Sequence, residues 1–398
     1  MRELLYLTHR IPYPPNKGDK IRSFHLLQHL SKRYRVYLGT FIDDEEDWQY
    51  EDEVRKYCQD VCIVRLSPLS ARIRSLFALS GNDPLTLAYY RDARLMQWIK
   101  ALFSNESIQN IVVFSSAMAQ YVEHLSGCRR IIDFVDVDSD KWRQYALSKP
   151  WPFNRIYHRE SRYLLNYERK VAEEFSHSTF VSEKEAELFR QLAPDAASKT
   201  TFFNNGVDTD FFSPQRSYLN PYPAAKKVLV FTGAMDYWAN IDAVSWFANS
   251  VFPAIRTKQP DVDFYIVGAK PARQVQMLAD LPGIYVTGAV EDIRPYLIHA
   301  AVAVAPLRIA RGIQNKVLEA MAMQKPVVVS VQAMEGIHAA SGKELIVAGD
   351  AGDFTEQILL LLDSDEQVTM GRLARERVLQ DYTWPANLSR IDALLAAP

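Results

Sequence analysis

Short apolar runs alternate along this chain with longer stretches in which apolar residues recur every three or four positions. The runs at 4–7, 35–41, 111–114, 131–135, 178–182 and 201–203 read as strands, and others follow at 227–232, 262–267, 284–286, 302–307 and 327–329. Ile21, Phe24, Leu27 and Leu30 space out a helix, and similar periods cover 154–174, 183–192, 241–255 and 351–362. Strands alternating with helices in both halves predict an α/β protein of two doubly wound parallel sheets. Residues 214–226, rich in Pro, Tyr and Asn and without periodicity, read as a linker. The expected organisation is a first domain at 1–213, a second at 227–380, and a helix over 381–398 that returns to the first domain.

The stretch 302–330 carries the most chemistry. Its apolar run stops at Pro306, a polar loop with Gly312 follows, and a helical pattern begins at Asn315. Val317, Leu318, Met321 and Ala322 mark one helix face, with Lys316 and Glu319 one turn apart, until Lys325-Pro326 stops it. Such a unit sets its loop and helix N-terminus at the carboxyl edge of the sheet, where open α/β sheets bind ligands. Helix-opening N–H groups favour an anion, and Gly312 lets the backbone approach it. Arg308, Arg311 and Lys316 add the positive charge that suits a diphosphate. A carboxylate at Glu319 can accept hydrogen bonds from two adjacent hydroxyls, such as a ribose diol. Cations and a carboxylate together match a nucleotide-sugar; the plainer alternative is a solvated helix face.

Elsewhere several signals leave two readings open. The loop HRIPYPPNKGDKIRS after the first strand contains Gly18 but lacks G-x-G-x-x-G, so a nicotinamide or flavin fingerprint is absent. The acidic run 43–53 reads as a solvated helix start. Residues 70–103 mix Ile73, Leu76, Phe77, Leu95, Trp98 and Ile99 with Arg72, Arg74, Arg91 and Arg94. Core packing is favoured there over a basic amphipathic segment lying on an anionic membrane. Asp136-Val137-Asp138 matches a D-x-D metal pattern, while helix capping by Asp138 or Ser139 explains it equally. The helix over 154–174 carries Arg155, His158, Arg159, Arg162 and Arg169, a solvated face or a cradle for an anionic acceptor.

Composition narrows the field. A net charge of −2 argues against nucleic acid as a general partner. The 3 cysteines show no metal or disulfide spacing, which fits a reducing compartment. No run is long enough to span a membrane, so a cytoplasmic protein is expected, with possible peripheral contact to the inner membrane face.

Taken together, NNGVDTDFFSP, FTGAMDYWAN, YIVGA, VTGAVEDIRPYL, KVLEAMAMQKPVVVS and GKELIVAGD resemble, in order and spacing, the family 4 glycosyltransferases. HRIPYPPNKGDKIRSFHLL and DFVDVDSDKWRQYA resemble the branch associated with PEP-CTERM/exosortase exopolysaccharide systems. The resemblance covers nearly the whole chain. It implies a GT-B fold of two facing Rossmann-like domains and a retaining sugar transfer from a UDP- or GDP-type nucleotide-sugar. No metal and no cofactor beyond that donor is expected, and the acceptor would be a saccharide or polyprenyl-linked saccharide. By position, Glu319 matches the ribose-binding second glutamate of an E-x7-E motif. Gly288, Ala289 and Val290 match a base-contacting loop, and Gly233 a turn beneath the diphosphate. The donor side is expected to comprise Glu319, Gly233, Arg308, Gly312, Asn315, Gly268, Ala289, Val290 and Leu318. Catalysis falls to Asp136, Arg311 and Lys316, and Lys17, Gly18 and Asp19 form an acceptor-side loop. The chain departs from the family pattern in having Arg311 at the first glutamate and no Arg–Lys pair after Gly233. Nucleotide-sugar epimerisation or hydrolysis, or a non-catalytic nucleotide-sugar-binding subunit, are the alternatives.

Overall fold

A computed structural model describes residues 2–15, 18–148, 150–310 and 312–396. The chain forms two compact units, Met1–Asn204 with Leu388–Pro398, and Asn205–Asn387.

The first unit is built on seven strands: β1 (Arg2–Thr8), β2 (Tyr34–Ile42), β3 (Asp60–Arg65), β4 (Asn110–Phe114), β5 (Arg129–Val135), β6 (His177–Phe180) and β7 (Thr200–Phe202). Their order is β3-β2-β1-β4-β5-β6-β7, and every pairing is parallel. Leu4, Leu5, Tyr6 and Leu7 are all fully buried, because a parallel sheet is covered on both faces and its strands need no polar alternation. Chain order reverses between β1 and β4, which makes the gap beyond their carboxyl ends the natural ligand crevice.

Charge is buried where it is paired. Arg22, from the helix Gly18–Ser31, donates from Nε to Asp133 Oδ2 at 2.7 Å and from Nη1 to Phe203 O at 2.9 Å. Its guanidinium also stacks over the Phe203 ring at 3.7 Å. The acidic run 43–53 is not uniformly solvated: Asp47 is buried and accepts from Lys20 Nζ at 2.6 Å, and Asp43 pairs with Arg10. Residues 70–103 contribute to three helices, Pro68–Ala78, Leu85–Tyr89 and Ala93–Asn105. Core packing holds for Leu95 and Ile99, but Ile73, Leu76 and Phe77 point to solvent, so the expectation fails for the first helix.

The second unit has six parallel strands, β8 (Lys227–Thr232), β9 (Val262–Val267), β10 (Ile284–Gly288), β11 (Val302–Ala305), β12 (Val327–Ser330) and β13 (Ile346–Ala348), ordered β10-β9-β8-β11-β12-β13. Here the order reverses between β8 and β11. Residues 214–226 are no free linker but part of this unit. Tyr222 is buried, donates its hydroxyl to Tyr296 O at 2.6 Å and packs edge-on against Tyr265 at 4.6 Å. The helix Trp384–Ala396 ends the chain, and its last turns fold with the first unit: Asp392 pairs with His29 and Arg33, and Arg129 donates to Leu394 O.

Candidate active site

The second unit's switch point gathers Gly233 at the end of β8, Asn240 on the helix Trp238–Trp246, and Lys316 and Glu319 on the helix Asn315–Ala322. Lys316 Nζ donates to Asn240 Oδ1 at 2.5 Å and lies 4.4 Å from the Phe231 ring centroid. It makes no ion pair within bonding distance among the described residues. Burial lowers its pKa to about 8, only partly offset by the charge of Glu319. The same desolvation pushes Glu319 up to about 7 against the pull of Lys316. The Glu319 carboxylate has no hydrogen-bond partner among the described residues, and Asn315 Oδ1 is buried without one. A cation and two acceptors are thus held half-buried at one sheet edge, an arrangement that a ligand with an anionic and a hydroxyl end completes.

The glycines beneath it are sterically required. A Cβ on Gly268 would lie 1.7 Å from Gly233 O, and one on Gly233 would lie 2.8 Å from Asn240 Nδ2. Arg308, expected to face phosphate, instead grips Asp242 with both Nε and Nη2, and Nε lies 2.9 Å from Asp242 Oδ2. Leu318, expected on the donor side, has its side chain fully buried in the core. Gly312 adopts a left-handed φ of 67° in open space, in the loop before the helix. Ala289 is exposed just past β10, and Val290 packs against the core. Arg311 and Lys17 lie outside the described residues.

The first unit's switch point opens into a cavity of about 730 Å³ lined by His9, Asp19, Tyr89, Tyr90, Phe114, Ser115, Phe134, Val135, Asp136, Asp138, Lys141 and Trp142, among others. Two non-glycine residues on its wall hold positive φ, Ser115 at 82° and Val135 at 70°. For a β-branched valine that is strain, the kind that accumulates where a loop must present its side chains in one way. Asp136 and Asp138 both accept from Lys141 Nζ, at 2.7 and 3.2 Å. Asp138 bonds within its own helix to Lys141, and Ser139 donates to Glu168. Among the described residues no cluster of three His, Cys, Asp or Glu side chains is placed to hold a metal ion. Buried Glu168 is raised to about 8, first by desolvation and then by the neighbouring charge of Asp138.

Asp19 lies on the same wall, one residue into the helix that Gly18 opens. Burial raises its carboxyl, but His9 and Arg10 more than offset this and hold it well below the usual range. Arg10 Nη1 donates to Asp19 Oδ2 at 2.8 Å, with His9 Nε2 at 3.5 Å. His9 stacks on Phe114 at 5.8 Å, and its Nδ1 is buried without a partner among the described residues. A histidine immediately after the first strand was the available signal for this residue, and the sequence pattern did not single it out. Asn240 was missed likewise, because only folding brings it to Lys316.

Residues 226–364 match the family described as Glycosyl transferases group 1. The second unit thus matches a glycosyl transferase domain, and the fold is that of GT-B structures. The whole chain superposes on sucrose-phosphate synthase from Thermosynechococcus elongatus with a TM-score of 0.68 at 16% identity, covering 99% of this chain and 98% of that one. Anabaena Alr3699/HepE in complex with UDP and glucose gives 0.66 at 14%, covering 100% of both chains. WaaG, a glycosyltransferase involved in lipopolysaccharide biosynthesis, gives 0.66 at 13%, covering 99% and 100%. At these identities the structural likeness speaks to the fold alone. No curated protein matches the sequence. The family match contains Gly233, Gly268, Lys316 and Glu319, so the cluster around Lys316 lies inside the matched domain.

Proposed function

We propose that the protein transfers a sugar, with retention of anomeric configuration, from a nucleotide-diphosphate sugar to a hydroxyl of a lipid-linked saccharide, in the cytoplasm and as a step in exopolysaccharide assembly. The observation that carries the donor half is Lys316, desolvated beside Gly233, with the free carboxylate of Glu319 one turn along the same helix. Lys316 meets the diphosphate, whose negative charge grows as the glycosidic bond breaks, and Glu319 accepts from the ribose diol. UDP in complexes of the structurally similar Alr3699/HepE supports a donor of this class. In the first unit, aromatic walls offer stacking for an acceptor ring, and Asp136 orients its hydroxyl. No metal enters this reading; Lys316, backbone N–H groups and Arg311 serve the phosphates.

Incubating the purified chain with UDP- and GDP-sugars and a polyprenyl-diphosphate saccharide tests the reading. Elongated acceptor whose new linkage keeps the donor's anomeric configuration supports it. Release of free nucleotide diphosphate without an acceptor product points to hydrolysis or epimerisation, and tight binding with no turnover to a non-catalytic subunit.

A further inference from the structure

The helix Pro68–Ala78 turns an apolar stripe to solvent: Leu69 is 73% exposed, Phe77 is 78% exposed, and Ile73 and Leu76 lie on the same face. Leu147 near the end of the helix Asp138–Ser148, Trp151, and Phe153 at the start of the helix Phe153–Glu174 are also exposed. The two sets lie on neighbouring elements of the first unit. Arg159 donates to Ala78 O at 3.0 Å, and Leu76 and Trp142 line the same cavity. Scattered exposed apolar residues are ordinary, but a gathered patch marks a surface that is covered in use.

Charge names what covers it. Residues 67–82 and 141–159 contain no Asp or Glu, yet carry Arg72, Arg74, Lys141, Arg143, Arg155 and Arg159. Arg72 and Arg155 are exposed and make no ion pair among the described residues, and the neighbouring Asp83 and Asp140 are engaged by Arg91 and Arg143. An apolar stripe beside the unpaired cations Arg72 and Arg155, in segments with no carboxylate of their own, is complementary to an anionic bilayer. Apolar side chains enter the headgroup–acyl boundary while guanidinium groups meet lipid phosphates.

We propose that this face docks the protein on an anionic lipid bilayer. It rests on the functional reading only for its purpose: Leu76 belongs to both stripe and cavity, so docking sets the cavity mouth at the lipid surface, where a lipid-linked acceptor resides.

The test is co-sedimentation of the full chain with phosphatidylcholine vesicles, with and without about a third phosphatidylglycerol, in the absence of donor or acceptor. Binding to the anionic vesicles alone, weakened by high salt, is expected. Phe77→Glu combined with Trp151→Glu should lower the partition coefficient at least about tenfold, and Arg155→Glu should weaken binding to anionic vesicles. Both apolar positions are exposed and off the cavity wall, so the melting temperature should hold. Quenching of wild-type tryptophan fluorescence by brominated lipids gives a reading that needs no variant. Absence of vesicle binding, or equal partition of wild type and variants, overturns the proposal. So does a wild-type dimer that Phe77→Glu converts to monomer without any vesicle binding, since the face would then join two copies. Because vesicle binding is read without substrates, its failure leaves the glycosyl-transfer reading standing, and failed transfer leaves docking standing.

Discussion

Lys316 lies directly beneath Gly233, so that a methyl group on the glycine would sit 3.2 Å from the lysine's Nζ. The β8 turn and the helix Asn315–Ala322 therefore approach closely where the ammonium sits. Gly233→Ala should displace Lys316 and Asn240 and lower nucleotide diphosphate affinity at least about tenfold, or ~1.4 kcal/mol. Isothermal titration reads this directly, and unchanged affinity would place the diphosphate elsewhere.

Glu319→Gln should keep the fold and weaken nucleotide binding. Losing the charged acceptor of a diol costs about 1.5–3 kcal/mol. A 2′-deoxynucleotide, which lacks one of the two hydroxyls, should then bind wild type and variant more nearly alike; equal losses in both would show that Glu319 does not touch the ribose.

Affinity should depend on pH on both sides of neutrality. A diphosphate needs the Lys316 ammonium, so binding weakens as pH rises through about 8. A diol needs the Glu319 carboxylate, so binding weakens as pH falls through about 7. In the empty protein, Lys316 sits below its ordinary 10.5, so stability is lowest below about 8 and recovers as pH rises toward 10.5. Glu319 sits above its ordinary 4.5, so its contribution is present below 4.5 and lost as pH rises through about 7. Thermal shift by nucleotide should accordingly peak between about 7 and 8, and a flat profile from pH 6 to 9 would count against both assignments.

Arg22 and Asp133 test the first unit's interior. Arg22→Met strands a fully buried carboxylate, and Asp133→Asn strands a guanidinium; each should cost about 3–5 kcal/mol in urea unfolding. The double variant Arg22→Met with Asp133→Leu should recover part of that loss. Strictly additive losses would show that the pair is not coupled.

Asp136 and Asp138 share one lysine, and burial raises Asp138 despite it. Asp136→Asn is expected to reduce turnover far more than Asp138→Asn, and activity should survive excess EDTA. Loss with EDTA that manganese restores would make the two aspartates metal ligands.

The sequence by itself determined the strand–helix alternation and two parallel sheets, because buried parallel strands must be continuously apolar and their crossover helices must be amphipathic. It also marked Gly233, Lys316 and Glu319, since turn glycines and charges near a helix start are local signals. Tertiary structure alone decided what those charges meet. Asn240 bonds to Lys316 across 76 positions, and Asp242 occupies Arg308 across 66; neither partner carries a sequence mark. The exposed stripe at Leu69, Ile73, Leu76 and Phe77 was equally undecidable, because periodicity shows that a helix has an apolar face but not whether the fold supplies a neighbour for it. Residues 214–226 show the reverse: they lack periodicity, yet Tyr222 packs against Tyr265 and Tyr296. Local physics sets which elements form, and long-range packing sets which of their side chains are left for chemistry.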